Sequence, residues 1–212
     1  MITDLEFVEY ISAKICHDLS GALGALSNGL EFVDSSDSHV QKKAVELIHI
    51  SSTQAIDTLK LFRQIYGVVK HEGEANLGQI KEFCQMILKD KKINLEFLIP
   101  NSLPAERALN SHTGKLMLAM VYLAKSGLIH GGSMTISIHH HGDHNSIHIV
   151  VQGKDMKIKS DCHKIILGHA VGEISSINID SYYIRRLRES MNSDITINES
   201  VGRVEYIIEY HS

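Results

Sequence analysis

Tryptophan is absent from this chain and aromatic residues make up only 6% of its 212 positions, so any core must be built mainly from aliphatic side chains. No apolar run approaches the ~20 residues that a membrane-crossing helix requires, which excludes a helical span. The N-terminal MITDLEFVEY sets acids where a secretory signal would carry a basic segment. Cysteine is scarce as well. Cys16, Cys84 and Cys162 are odd in number and far apart, matching neither a disulfide framework nor the close spacing of a zinc site. A reducing cytoplasm is the simplest home for such a chain, and no membrane partner is expected. A basic surplus is missing too: 21 Lys and Arg face 25 Asp and Glu, a formal charge of -4, which argues against a nucleic-acid binder. The rest is ordinary globular sequence, 43% hydrophobic and long enough for one large domain or two small ones.

Proline is also missing from Asp4 to Val33, where apolar residues recur at Ile11, Ile15, Leu19, Ala22, Leu26, Leu30 and Val33. Steps of three and four predict one long helix with a single buried stripe. The polar run Asp34 to Ser38 supplies turn and N-cap residues. A second helix follows through Val45, Ile48, Ser52, Ala55, Leu59, Phe62 and Tyr66, with breakers at Gly67 and Gly73. Two similar helices on a short connection make an antiparallel hairpin. A hairpin alone leaves its stripe partly wet. Either a second copy pairs with it in a two-fold four-helix bundle, or the C-terminal half covers it within one chain; long up-down hairpins favour the homodimer.

From Asn76 the texture changes. Helices are predicted over Leu77 to Leu88, His112 to Leu128, near Asp161 to His169, and over Ser181 to Met191. Strands are predicted at Ile93 to Leu98, closed by Pro100, and at Asp194 to Asn198 and Arg203 to Tyr210. Between them, Met134, Ile136, Ile138 and Ile147, Ile149, Val151 alternate as a hairpin that turns at His141 to Asn145. The expected fold class is α+β: a helical hairpin over residues 1–72, then a two-layer sandwich over 73–212.

The most informative segment is Ile15-Cys-His-Asp-Leu-Ser-Gly-Ala-Leu-Gly-Ala-Leu-Ser-Asn-Gly-Leu-Glu31. His17 lies two residues from both Ile15 and Leu19, about 200° around the helix, and so points away from the stripe. A phosphoacceptor needs that exposure on a rigid support, and neutral imidazole is a nucleophile near neutral pH. Asp18 is placed to orient the ring, although adjacent helical positions do not ordinarily face each other. Lys14, one turn earlier, either offsets phosphate charge or is simply solvated. Gly21 and Gly24, one and two turns onward, clear space for a partner to approach. By itself an exposed helical histidine is usually just solvated, and proton- and phosphate-handling histidines look alike.

This segment resembles the H-box of the dimerisation and phosphotransfer domain of bacterial sensor kinases. It is more similar still to the ChpT-type histidine phosphotransferases of alphaproteobacteria, with His17-Asp18-Leu19 and Ala25-Leu26-Ser27-Asn28-Gly29-Leu30-Glu31 matching that family's pattern. The proline usual five residues after the histidine is Ala22 here, so any kink must come from the glycines. The resemblance implies a homodimer carrying phosphate on His17, with Asp18, Lys14 and Gly21 around it. It implies receiver domains of a hybrid kinase and of response regulators as partners. Those receivers bring Mg²⁺, and the chain needs no cofactor of its own.

The C-terminal half resembles the kinase ATPase fold, chiefly at Tyr182 to Ser190 and Ile195 to Arg203. Its nucleotide chemistry is gone. No asparagine occurs from Ser111 to His144, and alignment on Gly131-Gly132 puts Ala119 and Leu123 at the magnesium-ligand positions. Val151-Gln-Gly-Lys-Asp-Met156 lacks the Asp-x-Gly-x-Gly spacing that reads adenine. Ile177-Asn-Ile-Asp-Ser181 replaces the phosphate loop and sets Asp180 where a phosphate would sit. The expectation is a phosphotransferase without ATP. The alternatives are a non-catalytic adaptor that docks response regulators, and an active kinase that would need the lost ligands.

His139, His140, His141, His144 and His148 invite a metal, but fall around a turn without a familiar ligand spacing. Arg185, Arg186 and Arg188 suit a helix C-terminus as well as an acidic partner. Cys16 is read as a small packed residue rather than a redox site.

Overall fold

The computed structural model describes residues 2–68, 76–89, 92–99, 109–141, 144–169 and 172–210, apart from the side chains of 141, 144 and 160. The chain divides into two compact units, Met1–Gly67 and Val68–Ser212. The boundary expected between 72 and 73 lies outside the described residues.

The first unit is the helical hairpin. Helix α1 (Asp4–Phe32) starts at a capping box: Thr3 Oγ1 accepts from the Glu6 N–H, and the Glu6 carboxylate accepts from the Thr3 N–H at 2.7 Å. Helix α2 (Ser38–Tyr66) is capped by Asp37, which accepts from the N–H groups of His39 and Val40. Ala22 and Gly29 of α1 and Ala44, Ser51 and Ala55 of α2 are buried, as are Leu61, Phe62 and Ile65 towards the end of α2. The helices approach so closely that a Cβ on Gly29 would stand 2.7 Å from Ile48 Cγ1 and 3.2 Å from the Ala44 carbonyl oxygen.

Ala22, Ala55 and Phe62 of the expected stripe are buried, but three of its larger members are not. Leu30, Val45 and Leu59 are 57%, 52% and 52% exposed in the single chain. The apolar sector of each helix is wider than one seam, and over Ala22 to Gly29 and Ala44 to Ala55 the buried positions are all small residues. Leu5, Val8, Leu23, Ile50 and Ile56 stay exposed on the same two helices.

The second unit contains α3 (Leu77–Leu88), β1 (Ile93–Leu98), α4 (Ser111–Lys125), β2 (Gly132–His141), β3 (His144–Gln152), α5 (Ser160–Ile166), α6 (Ile179–Ser190), β4 (Asp194–Ser200) and β5 (Arg203–Tyr210). The strands form one sheet in the order β1-β2-β3-β5-β4. β1 runs parallel to β2, and the other neighbours are antiparallel. Met134, Ile136, Ile138, Ile147, Ile149 and Val151 alternate inward as the pattern predicted. They bury against an aliphatic layer from α3, α4 and α6 that includes Ile87, Leu116, Met120 and Ile184. Each such side chain contributes roughly 1.5–3 kcal/mol.

Helix α4 stops at Lys125, three residues short of the expected Leu128. The N–H groups of Ser126, Gly127 and Leu128 bond to carbonyls three residues back, so the last turn tightens before Gly131 and Gly132 adopt positive φ. The turn residues 142 and 143 and the expected strand terminator Pro100 lie outside the described residues.

Candidate functional site

His17 stands at the middle of α1 with its side chain 87% exposed. It is about 120° around the helix from the buried Gly29 and about 140° from the exposed Leu30, at 3.6 residues per turn. The imidazole therefore projects clear of both the seam and the exposed apolar stripe.

Asp18 organises the ring. Its Oδ1 lies 3.1 Å from Nδ1 of His17, and its Oδ2 lies 2.5 Å from Nζ of Lys14. Lys14 and Asp18 are one turn apart and only 17% and 19% exposed, a sheltered pair beside a solvated histidine. An ionised carboxylate only accepts hydrogen bonds, so Nδ1–H donates to Asp18. The remaining nitrogen, Nε2, then carries its lone pair outward. This is the geometry of an exposed nucleophile whose tautomer is set from behind.

Lys14 is thus neither simply solvated nor facing outward alone; it anchors Asp18. Its i,i+4 spacing to Asp18 was the signal in the sequence for this pairing. Gly21 and Gly24 are exposed, and a Cβ on either would meet nothing within 4 Å. No intrachain packing requires these glycines. Cys16 is exposed rather than packed, because it sits on the solvent side of the helix next to His17.

In the second unit, Ala119 and Leu123 are buried in the core face of α4. After β3 the chain packs inward: the Ile158 and Met156 side chains press against Gly127, where a Cβ would lie 2.8 Å and 3.0 Å from them. Cys162, His163, Ile165 and Ile166 of α5 are buried, and so are Ile179 and Ser181 at the start of α6. His163 is held by the Glu199 carboxylate at Nδ1 and by the Tyr206 hydroxyl, 2.9 Å from Nε2. Asp180 lies in the first turn of α6. Of the basic cluster, Arg185 is paired with Glu189 at 2.7 Å. The histidine cluster separates: His139 and His148 meet, His140 turns to Asn145, and the side chains of His141 and His144 lie outside the described residues.

The chain is thus a helical hairpin bearing an exposed, carboxylate-backed histidine, followed by an α/β unit with one mixed five-stranded sheet. Residues 77–201 match the histidine phosphotransferase C-terminal domain family, and the chain belongs to the histidine phosphotransferases. It is similar to the protein phosphotransferase ChpT of Brucella abortus (strain 2308), 22% identical over 98% of this chain and 97% of that protein. Its fold matches the solved structure of a bacterial phosphotransferase with a TM-score of 0.83 and 20% identity, covering 98% of each chain. A match to the histidine kinase AdeS of Acinetobacter baumannii has a TM-score of 0.49 and 12% identity, over 92% of this chain and 97% of that one. No helix among the described residues is long and apolar enough to cross a membrane.

Proposed function

We propose that this protein shuttles a phosphoryl group between receiver-domain aspartates through His17, without ATP, as a homodimer in the cytoplasm. The observation that carries this reading is the His17 ring itself: Nδ1 is engaged by Asp18 while the ring is 87% exposed. Nε2 attacks the aspartyl phosphate of one receiver in line, the P–O bond to the aspartate breaks, and the carboxylate leaves. The phosphoryl group then passes from nitrogen to the aspartate of a second receiver. Each receiver supplies the Mg²⁺ that neutralises charge in the transfer. Lys14 and Asp18 hold the ring, and the bare surface at Gly21 admits the visiting domain.

Independence from ATP is supported by the second unit. The positions that resemble magnesium ligands are buried Ala119 and Leu123, and the segment after β3 is packed with Ile158, Ile165 and Ile166. Apolar side chains there offer no oxygen to a hard cation. Dimerisation is supported by the apolar residues left exposed on the hairpin, Leu23, Leu30, Val45 and Leu59 among them. Pairing two hairpins along that stripe yields a four-helix bundle with His17 outside it.

The test is phosphotransfer from a purified receiver carrying a radiolabelled phosphoryl group. The wild-type chain is expected to take label from the receiver and none from ATP, and His17→Ala to take none from either. Label from ATP alone would make the protein a kinase. A chain that binds the receiver but never takes label would make it an adaptor.

A further inference from the structure

On β2 and β3 the residues alternating with the buried aliphatic rows form the other, partly exposed face of the sheet. The register sets Ser137 opposite His148 and His139 opposite Ser146, so the two histidines are diagonal neighbours on that face. Their rings meet edge to face with centroids 4.6 Å apart and planes inclined by 64°. Each ring also has a polar neighbour on a second side. Glu205 on β5 puts a carboxylate oxygen 3.6 Å from Nδ1 of His148. Ser137 Oγ lies 3.0 Å from Nε2 of His139.

We propose that His139 and His148 form a peripheral site for one borderline dication of the zinc, copper or nickel kind. Two imidazoles on one zinc ion, at roughly 2.0–2.1 Å per Zn–N bond and a tetrahedral angle, have ring centres about 5 Å apart. The pair already stands at 4.6 Å on adjacent strands, so modest side-chain rotation brings one nitrogen of each to a common ion. Imidazole nitrogen is a ligand that these ions prefer. Glu205, 3.6 Å from Nδ1 of His148, is the outer carboxylate that would close on Nδ1–H once Nε2 takes the metal. Among the described residues no three His, Cys, Asp or Glu side chains are grouped to hold a metal ion. Water therefore completes the coordination, and the ion exchanges readily. Mg²⁺, which prefers oxygen ligands, is not retained here.

The plainer reading is a cross-strand packing pair worth a few tenths of a kcal/mol. Calorimetric titration of the tag-free full chain with Zn²⁺ at neutral pH separates the two. One equivalent is expected to bind. His139→Gln and His148→Gln should each weaken binding about tenfold or more, and Glu205→Gln about tenfold. His130→Gln should leave it unchanged, and Mg²⁺ should not compete. Thermal unfolding without metal checks that the variants keep the wild-type fold. Undiminished zinc binding by a folded His139→Gln, His148→Gln double variant overturns the proposal, as does the absence of binding by the wild type.

Discussion

The Asp18 carboxylate lies 3.1 Å from Nδ1 of His17 although the two residues are consecutive on one helix. The contact exists because Lys14, 2.5 Å from the other carboxylate oxygen, holds Asp18 from the preceding turn. Asp18→Asn keeps the shape but breaks the charge pairing and lets an amide N–H face the ring, so the tautomer is no longer imposed. Transfer from a phosphorylated receiver should slow by about 10²-fold, in the range for lost proton management. Lys14→Met leaves Asp18 in place but loosens it, and should cost roughly tenfold. Circular dichroism should stay unchanged for both, since the pair is local to one helix face.

Two glycines of α1 have opposite roles. Gly29 lies against α2, where an added Cβ meets Ile48 and the Ala44 carbonyl. Gly29→Leu overpacks that seam and should destabilise the hairpin by roughly 1–3 kcal/mol. Gly21 faces open space. Gly21→Ala should stabilise α1 by about 0.5–1 kcal/mol, because glycine is a poor helix former. Gly21→Trp should fold as well as wild type while raising the KM for the phosphorylated receiver, since bulk then fills the approach to His17. Thermal melts and transfer kinetics on the same proteins distinguish these effects.

How far the sequence revealed this molecule depends on which interactions are periodic. The strands of the β2–β3 hairpin and the inward row from Met134 to Ile138 were legible because alternation has a single burial solution. The place of His17 off the seam was legible from its spacing to Ile15 and Leu19. The intrachain partners of the helices were not. Leu30, Val45 and Leu59 match the helical period as well as Ala22 and Ala44 do, and only three-dimensional contact shows that the small residues take the first seam. The anchoring of Asp18 by Lys14 was visible as an i,i+4 spacing, but its consequence for the histidine tautomer required coordinates.

The leucines left on the outside of the hairpin carry the next prediction. Leu23 and Leu30 are 52% and 57% exposed and lie two turns apart on one side of α1. In a two-fold pairing each substitution counts twice. Leu23→Glu together with Leu30→Glu removes several kcal/mol of apolar burial from the paired state, at roughly 1.5–3 kcal/mol per leucine. The wild type is expected to elute as a dimer by light-scattering chromatography, and the variant as a monomer at the same concentration. His17 points elsewhere, so residual phosphotransfer should persist in the monomer.

Alkaline pH should unfold the second unit from within. Burial lifts the Cys84 thiol from its ordinary 9.0 to about 12 and the Tyr210 phenol from 10.0 to about 12. Burial also raises Tyr183, and burial together with the nearby Glu199 charge raises Tyr206. Each group keeps its proton in the native state over a pH range where the unfolded chain has lost it. The native state then binds more protons than the unfolded one, so stability falls as pH rises. Their contribution is complete below about pH 9 and lost between the unfolded and folded values, from about 9 to about 12 for Cys84. Tyrosinate absorbance from these residues should therefore rise together with loss of helical signal rather than ahead of it. Cys84→Ala should flatten the dependence of Tm on pH above 9.0, whatever it does to Tm at neutral pH. An unchanged slope would mean that Cys84 ionises without unfolding, so that its burial at the core of α3 does not govern its proton.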